Sequence, residues 1–187
     1  QGSLARLGYD YQALRKVRPD LIYVSMPAFG NDGPWQSYLA YGIGQEQLSG
    51  MAHMTGYDGE GPMKSGINHG DPITGSHAAG VVLASLRHRR RTGKGMLIDV
   101  SQQESAVSLI GAEVLAYQIS GQEPERKGNH SSTVAPHNAY PCRGEDRWIT
   151  IAVTNGQQWQ ALANLIEKPG LSEDGRFATN EARLNNQ

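Results

Sequence analysis

The stretch Gly70-Asp71-Pro72-Ile73-Thr74-Gly75 and the apolar run behind it decide the fold of this chain. Asp followed by Pro is typical of a helix start, with Asp71 as the N-cap and Pro72 at the first helical position. Cations at 87–91 suit the negative end of a helix dipole, and Gly93 is a typical helix stop. The run between them predicts a mostly buried helix: Ala78, Ala79, Val81, Val82, Leu83, Ala84 and Leu86.

Two roles are open to the Asp71 carboxylate at this helix start. It could cap free backbone N–H groups, which is the commoner role of Asp at such a position. The same N–H groups and the helix dipole stabilise a negative charge, so it could also serve as an exposed nucleophile. Spacing alone favours the cap, although the two roles are compatible.

Composition excludes several classes of function. The chain has 187 residues with 17 Lys+Arg and 18 Asp+Glu, so it lacks the charge excess of a nucleic-acid-binding protein. It shows no apolar run of membrane-spanning length and no signal-peptide pattern, and we expect a cytoplasmic protein without a membrane partner. The single cysteine, Cys142, excludes an internal disulfide and a cysteine-based metal cluster, and the six histidines show no paired metal spacing.

The order of helical and strand patterns predicts an α/β fold with parallel strands. A polar, glycine-rich stretch at 121–136 reads as a linker and separates the first group of elements from the second. The predicted elements are helix 9–17, strand 21–25, helix 41–54, strand 96–100, helix 101–119, strands 139–142 and 148–153 joined by a turn at 143–146, and helix 155–167. Ser101 with Glu104 fits a capping box, and Asn155 fits the cap of the last helix. The tail from Pro169 is polar, and helix 41–54 has four residues near one side: Ile43, Gln47, Leu48 and Met51.

Sequence blocks that extend from Arg18 to Arg183 resemble one known family. They lie at 18–25, 29–34, 48–51, 55–56, 70–71, 74–75, 91–95, 98–101, 104–105, 128–129, 135–136, 140–141 and 148–149. In this order they resemble the class III CoA-transferases, the group of formyl-CoA transferase and carnitine CoA-transferase. The α-methylacyl-CoA racemases share that fold. Many blocks in the right order are far more specific than any single motif.

The resemblance implies the domain organisation. Residues 1–120 would be part of a Rossmann-like, parallel-sheet large domain, 121–138 a linker, and 139–187 the start of a smaller α+β domain. Members of the family are longer than this chain, which would therefore be a central fragment. They also form interlocked homodimers, so we expect a homodimer of the full-length protein.

The resemblance also implies the chemistry. In the family, the aspartate at the position of Asp71 is a covalent nucleophile that moves CoA from an acyl-CoA to a carboxylic acid. The intermediates are an aspartyl anhydride and an aspartyl-CoA thioester, and no metal or permanently bound cofactor takes part. We predict that Tyr41, His69 and Gly70 contact the coenzyme A thioester substrate. Packing for Tyr41 and simple solvation for His69 remain the alternatives.

Two other functions stay open. The racemases carry a His-Asp pair where this chain has Tyr41-Gly42, and tyrosine is a poor proton shuttle near neutral pH. That difference disfavours an acyl-CoA isomerase. The second alternative is a non-catalytic CoA-binding fragment. The basic run 87–94 could bind CoA phosphates, but a helix end that complements its dipole explains it more simply.

Overall fold

The structure is a computed structural model of the chain, and it describes residues 2–187. These residues divide into two compact units. The first comprises the chain up to Gly56 together with Glu60–Arg126, and the second comprises Tyr57–Gly59 and Lys127–Gln187. The boundary after Arg126 lies inside the stretch predicted as a linker.

The first unit is a mixed α/β structure around a two-stranded parallel sheet, which confirms the predicted fold class. Strands β1 and β2 pair in register from Ile22 with Met96 to Ser25 with Asp99. The elements are α1 (Ser3–Arg6), α2 (Tyr11–Val17), β1 (Ile22–Ser25), α3 (Gly42–Leu48), α4 (Met51–Met54), α5 (Gly70–Thr92), β2 (Met96–Asp99), α6 (Gln102–Val107), a 3-10 turn (Ser108–Ile110) and α7 (Gly111–Ser120).

Helix α5 begins at Gly70, one residue before the predicted cap. His69 is the N-cap residue, without a side-chain capping bond, and Asp71 lies inside the first turn. The prediction that Asp71 caps the helix is therefore wrong. Pro72 permits the earlier start because the N–H groups of the first helical turn have no partner within the helix. The predicted end is confirmed, since Gly93 adopts φ 70° and its N–H donates to the Arg89 carbonyl at 2.8 Å.

The prediction that α5 is mostly buried is also wrong. Leu83 is 68% exposed and Val81 is 41% exposed. The helix packs against β1 and α6 along a narrow face, and small side chains on that face allow the close approach. The buried residues of α5 are Gly70, Thr74, Ala78 and Ser85.

Two helices that the sequence predicts as continuous are interrupted. The predicted helix 41–54 divides into α3 and α4 because Gly50 adopts the left-handed conformation, with φ 93°. The predicted helix 101–119 divides into α6 and α7 at the 3-10 turn. Its predicted cap is confirmed, since the Ser101 hydroxyl accepts a hydrogen bond from the Glu104 N–H at 3.3 Å.

The second unit contains an antiparallel hairpin followed by helices. Its elements are β3 (His137–Pro141), β4 (Trp148–Ala152), α8 (Gly156–Leu165), a 3-10 turn (Pro169–Ser172) and α9 (Asn180–Asn185). The antiparallel pairing of β3 with β4 confirms the predicted hairpin. The Asn155 side chain accepts a hydrogen bond from the Gln158 N–H at 2.9 Å, which confirms the predicted cap of α8.

Arg183 of α9 is buried, although the sequence predicts only a polar tail beyond Pro169. Its Nε donates to the Ala135 carbonyl at 2.6 Å, and Nη1 donates to the Phe177 carbonyl at 3.0 Å. The guanidinium lies 5.2 Å from the centre of the Trp159 ring. Burial lowers the pKa of Arg183 from its ordinary value. This side chain connects three segments of the unit.

Candidate active site

The start of α5 packs directly on the start of α3, and two glycines make this approach possible. A Cβ atom on Gly42 would lie 2.5 Å from Asp71 Oδ2 and 3.0 Å from the Asn68 carbonyl oxygen. A Cβ atom on Gly70 would lie 2.8 Å from Gln45 Cβ. All three distances are shorter than an ordinary contact, so neither position accepts a side chain in the observed geometry.

The Asp71 carboxylate lies on Gly42, and the Asp71 side chain is otherwise exposed. Within residues 2–187 it receives no hydrogen bond and forms no ion pair. It extends from the first turn of a 23-residue helix, where the dipole favours a negative charge. Thr74 follows on the buried face, and its hydroxyl donates to the Gly70 carbonyl at 2.7 Å. The carboxylate is thus accessible and free of a partner within the described chain.

Behind this carboxylate, α3 carries a buried Gln and a buried Glu. Gln45 is 0% exposed, and neither its Oε1 nor its Nε2 has a hydrogen-bond partner among residues 2–187. An unpaired buried polar group costs about 1–3 kcal/mol. A leucine at this position would avoid that cost, so packing stability does not explain why the chain places an amide against Gly70.

Glu46 is 1% exposed, and its carboxylate accepts hydrogen bonds from the loop that leads into α5. The Ser65 N–H donates to Oε1, and Oε2 accepts from the Ser65 hydroxyl at 2.9 Å and from the His69 N–H at 3.4 Å. Burial raises the pKa of this carboxyl, but the Ser65 and His69 hydrogen bonds outweigh it. Together with the charge of His69 they hold the pKa below its ordinary value. Glu46 is therefore a carboxylate whose charge is stabilised by the loop.

The four predicted site residues all lie where the start of α3 meets the start of α5, but they differ in exposure and in their contacts. Tyr41 immediately precedes Gly42, and its side chain is 86% exposed, so it does not pack within the described chain. His69 is half-buried, and its carbonyl accepts the N–H of Ile73 at 3.2 Å. Gly70 is buried against Gln45. Of the four, Asp71 is the residue with a carboxylate, and that carboxylate has no hydrogen-bond partner among residues 2–187.

Sequence reasoning missed Gln45, Glu46 and Ser65. It placed Ile43, Gln47, Leu48 and Met51 near one side of the predicted helix 41–54, whereas Leu48 is exposed and Gln45 and Glu46 are buried. The sequence did contain one indication of this buried face. Gly42, Gln45 and Glu46 are spaced at i, i+3 and i+4, so they share one face of a helix.

Other candidate features lie away from Asp71. Cavities of about 760 Å³ and 550 Å³ lie at the sheet of the first unit, and Asp71 lines neither of them. The basic run ends α5 roughly 27 Å from Asp71, at 1.5 Å per residue over 18 residues. Within that run, Arg89 Nη1 lies 3.8 Å from Asp20 Oδ2 and 3.4 Å from the Asp20 carbonyl oxygen, which gives it a structural partner.

Two further site classes find no counterpart in residues 2–187. The structure there shows no group of three or more His, Cys, Asp or Glu side chains arranged to hold a metal ion. None of the helices in that range is long and apolar enough to cross a membrane. Cys142, the single cysteine, is free and exposed.

The first unit is an α/β structure with an exposed carboxylate at the start of its longest helix, in a chain whose sequence blocks resemble the class III CoA-transferases. The model of CoA-transferase family III matches residues 1–187, and the chain therefore belongs to that family. It is 33% identical over 181 residues to succinate–glutarate CoA-transferase of Agrobacterium fabrum, covering 97% of this chain and 45% of that protein. It is 30% identical over 198 residues to formyl-CoA:oxalate CoA-transferase of Streptomyces avermitilis, covering 98% of this chain and 48% of that protein.

A solved structure agrees with this assignment. The crystal structure of a CAIB/BAIF family protein from Brucella suis matches with a TM-score of 0.90 and 32% sequence identity, over 99% of this chain and 48% of that one. The chain thus spans about half the length of the relatives that it matches.

Proposed function

We propose that the protein containing this chain is a CoA-transferase that moves CoA from an acyl-CoA to a carboxylic acid, with Asp71 as the covalent nucleophile. One observation carries the proposal. The Asp71 carboxylate is exposed and unpaired within residues 2–187, and it lies at the positive end of α5 in a chain that matches the family along its whole length.

The proposed reaction transfers the acyl group and CoA in balanced steps. An Asp71 oxygen attacks the thioester carbonyl, the C–S bond breaks, and CoA leaves as the thiolate while an aspartyl anhydride forms. The thiolate then attacks the aspartyl carbonyl, which releases the first carboxylate and leaves an aspartyl-CoA thioester. The acceptor carboxylate forms a second anhydride by displacing CoA. The thiolate finally attacks the acceptor's carbonyl, giving the new acyl-CoA and regenerating Asp71.

The local geometry suits a carboxylate nucleophile. Gly42 leaves the carboxylate uncovered by a neighbouring side chain, and the helix dipole stabilises the carboxylate each time it is regenerated. The exposed Tyr41 and the half-buried His69 flank the same point, and we assign them, with Gly70, to contacts with the CoA thioester. Both reactive intermediates hydrolyse in water, so the site must be covered during turnover.

The geometry disfavours the isomerase alternative. Racemases of the fold carry a His-Asp pair at the positions of Tyr41 and Gly42, with the His as the acid and base, but here a Cβ atom at position 42 would overlap the Asp71 carboxylate. The observed site therefore has room for one carboxylate at this point. Exchange of an α-proton of acyl-CoA without an acceptor acid would favour the isomerase instead. Binding of CoA without transfer would favour the non-catalytic alternative.

The names of the two relatives indicate which substrates to test first. One is named for succinate and glutarate and the other for formyl-CoA and oxalate, and succinate, glutarate and oxalate are all short dicarboxylic acids. We propose the same chemical class as acceptor here, with a CoA thioester as donor. The interlocked homodimer and the cytoplasmic location stay predictions. Sedimentation of the full-length protein measures the first, and cell fractionation measures the second.

The decisive experiment compares Asp71→Asn with wild type in the full-length protein. Asparagine keeps the shape of the side chain but cannot form the anhydride, and Asp71 is not the N-cap, so the fold should survive. We expect loss of transfer, and loss of the hydroxylamine-trapped label that mass analysis should otherwise find on Asp71. Asp58→Asn, at an exposed position, is the matched control. A folded Asp71→Asn protein with a near-wild-type transfer rate would refute the mechanism.

A further inference from the structure

The face of α3 that packs toward the Asp71 helix is polar, although it is buried. Its residues at i, i+3, i+4 and i+7 are Gly42, Gln45, Glu46 and Ser49, all of them buried. A helix normally buries an apolar face, and an ionised side chain is rarely buried without partners. Apolar packing therefore does not explain why these residues are buried.

The hydrogen-bond partners of Glu46 indicate what this buried polar face does. Its two oxygens bind Ser65 and His69, which bracket the last turn of the loop before Gly70. Between them Asn68 has φ 51°, a left-handed conformation that a non-glycine residue keeps only when its surroundings hold it. The Asn68 carbonyl in turn lies against Gly42. The loop is thus held on both sides of its strained residue.

We propose that Glu46 is a positioning residue for the transfer reaction: its carboxylate holds Ser65 and His69 and thereby fixes where the Asp71 carboxylate lies. This role rests on the proposed function of Asp71. Only Gly70 lies between His69 and Asp71, so a loop released from Glu46 changes the start of α5 and the contact between Asp71 and Gly42. Glu46 itself is buried and does not touch substrate.

The hydrogen-bond donors around Glu46 suit a carboxylate better than an amide. Glu46 faces three donors: the two backbone N–H groups and the Ser65 hydroxyl. An ionised carboxylate offers acceptors on both oxygens, whereas a glutamine offers one oxygen and an NH₂ group that would face another donor. Glu46→Gln therefore keeps the volume of the side chain and breaks part of the hydrogen bonding.

The first measurement is hydrogen exchange, which does not depend on activity. In full-length Glu46→Gln, the Ser65 and His69 amides should exchange at least about tenfold faster than in wild type, while amides of the sheet stay unchanged. Glu113→Gln, which removes one charge from an exposed position of α7, should leave them unaltered. Unchanged protection in Glu46→Gln would overturn the proposal.

The second measurement is the division between kcat and KM. A displacement of Asp71 of about 1 Å lowers kcat by about 100-fold, and the KM for acyl-CoA should change by less than about threefold because binding contacts persist. Ser65→Ala removes only the hydroxyl bond, and it should lower kcat by about threefold to tenfold. Ser65→Ala is the milder variant, and it still tests the proposal if Glu46→Gln does not fold. Wild-type kcat in a folded Glu46→Gln or in Ser65→Ala would overturn the proposal.

These outcomes separate this inference from the proposed function. An inactive Asp71→Asn with a fully active Glu46→Gln contradicts the role of Glu46 alone. An active Asp71→Asn contradicts the nucleophile, and with it the reason for positioning that residue.

Discussion

Gly42→Ala is the sharpest single test of the contact between α3 and Asp71. The added Cβ would lie 2.5 Å from Asp71 Oδ2, whereas ordinary contacts begin at 3.4 Å, so one partner must move by about 0.9 Å. Overpacking of this kind costs about 1–3 kcal/mol, and the better helix propensity of alanine returns up to about 1 kcal/mol. We expect a net loss of about 0–2 kcal/mol in the free energy of unfolding.

The effect of Gly42→Ala on activity should be much larger than its effect on stability. A nucleophile displaced by about 1 Å loses about 100-fold in rate, and the transfer assay with saturating acyl-CoA and acceptor acid measures this loss. Gly80→Ala in α5 is the matched control, because its Cβ meets nothing within 4 Å. We expect it to keep the wild-type rate. A Gly42→Ala protein that keeps more than about half of the wild-type rate would refute the argument that this glycine makes room for Asp71.

Three further predictions concern stability. Gly50→Ala places a side chain at φ 93°, and we expect urea unfolding to show a loss of about 1–2 kcal/mol; an unchanged midpoint would contradict the role of that glycine in ending α3. Arg183→Met leaves two carbonyls unpaired, so we expect a loss of about 2–4 kcal/mol, and a much smaller loss for Arg176→Met because Arg176 is exposed. Equal losses of stability in the two variants would contradict this structural role of Arg183. The folded-state pKa of Glu46 is lowered, so its stabilisation is complete above its ordinary pKa of 4.5 and disappears as the pH falls below it. Unfolding measured between about pH 3 and 6 should therefore depend less on pH in Glu46→Gln, and identical slopes would contradict this.

Local signals in the sequence predicted much of the fold. The caps at Ser101 and Asn155 and the stop at Gly93 depend on side-chain or backbone chemistry within a few residues, which the sequence displays directly. The parallel pairing of β1 with β2 followed from the order of helices and strands. The family resemblance of the blocks around Asp71 singled it out as the nucleophile, and that role stays a prediction. The structure shows that Asp71 lies in the first turn of α5.

The supporting part of the site was not predictable in the same way. Pattern reasoning assigns Gln45 and Glu46 to solvent because both are polar, and only tertiary contacts show that they are buried. The partners of Glu46 lie 19 and 23 residues away, and two of the three donors are backbone N–H groups, which any residue but proline carries. The displaced start of α5 has a similar cause, because packing of Gly70 on Gln45 outweighed the local preference for Asp as a cap.

The parallel ladder can form only late during synthesis. Ile22 pairs with Met96, 74 positions later, and the whole of α5 lies between the two strands. At about 5–20 residues per second, a ribosome needs roughly 4–15 s to make that stretch, and the ladder cannot close before it is complete. Contacts this distant in sequence form slowly, so the nascent chain carries Asp71 for seconds without the pairing of β1 with β2. Chaperones that shield unpaired strands would therefore meet this protein chiefly in that interval.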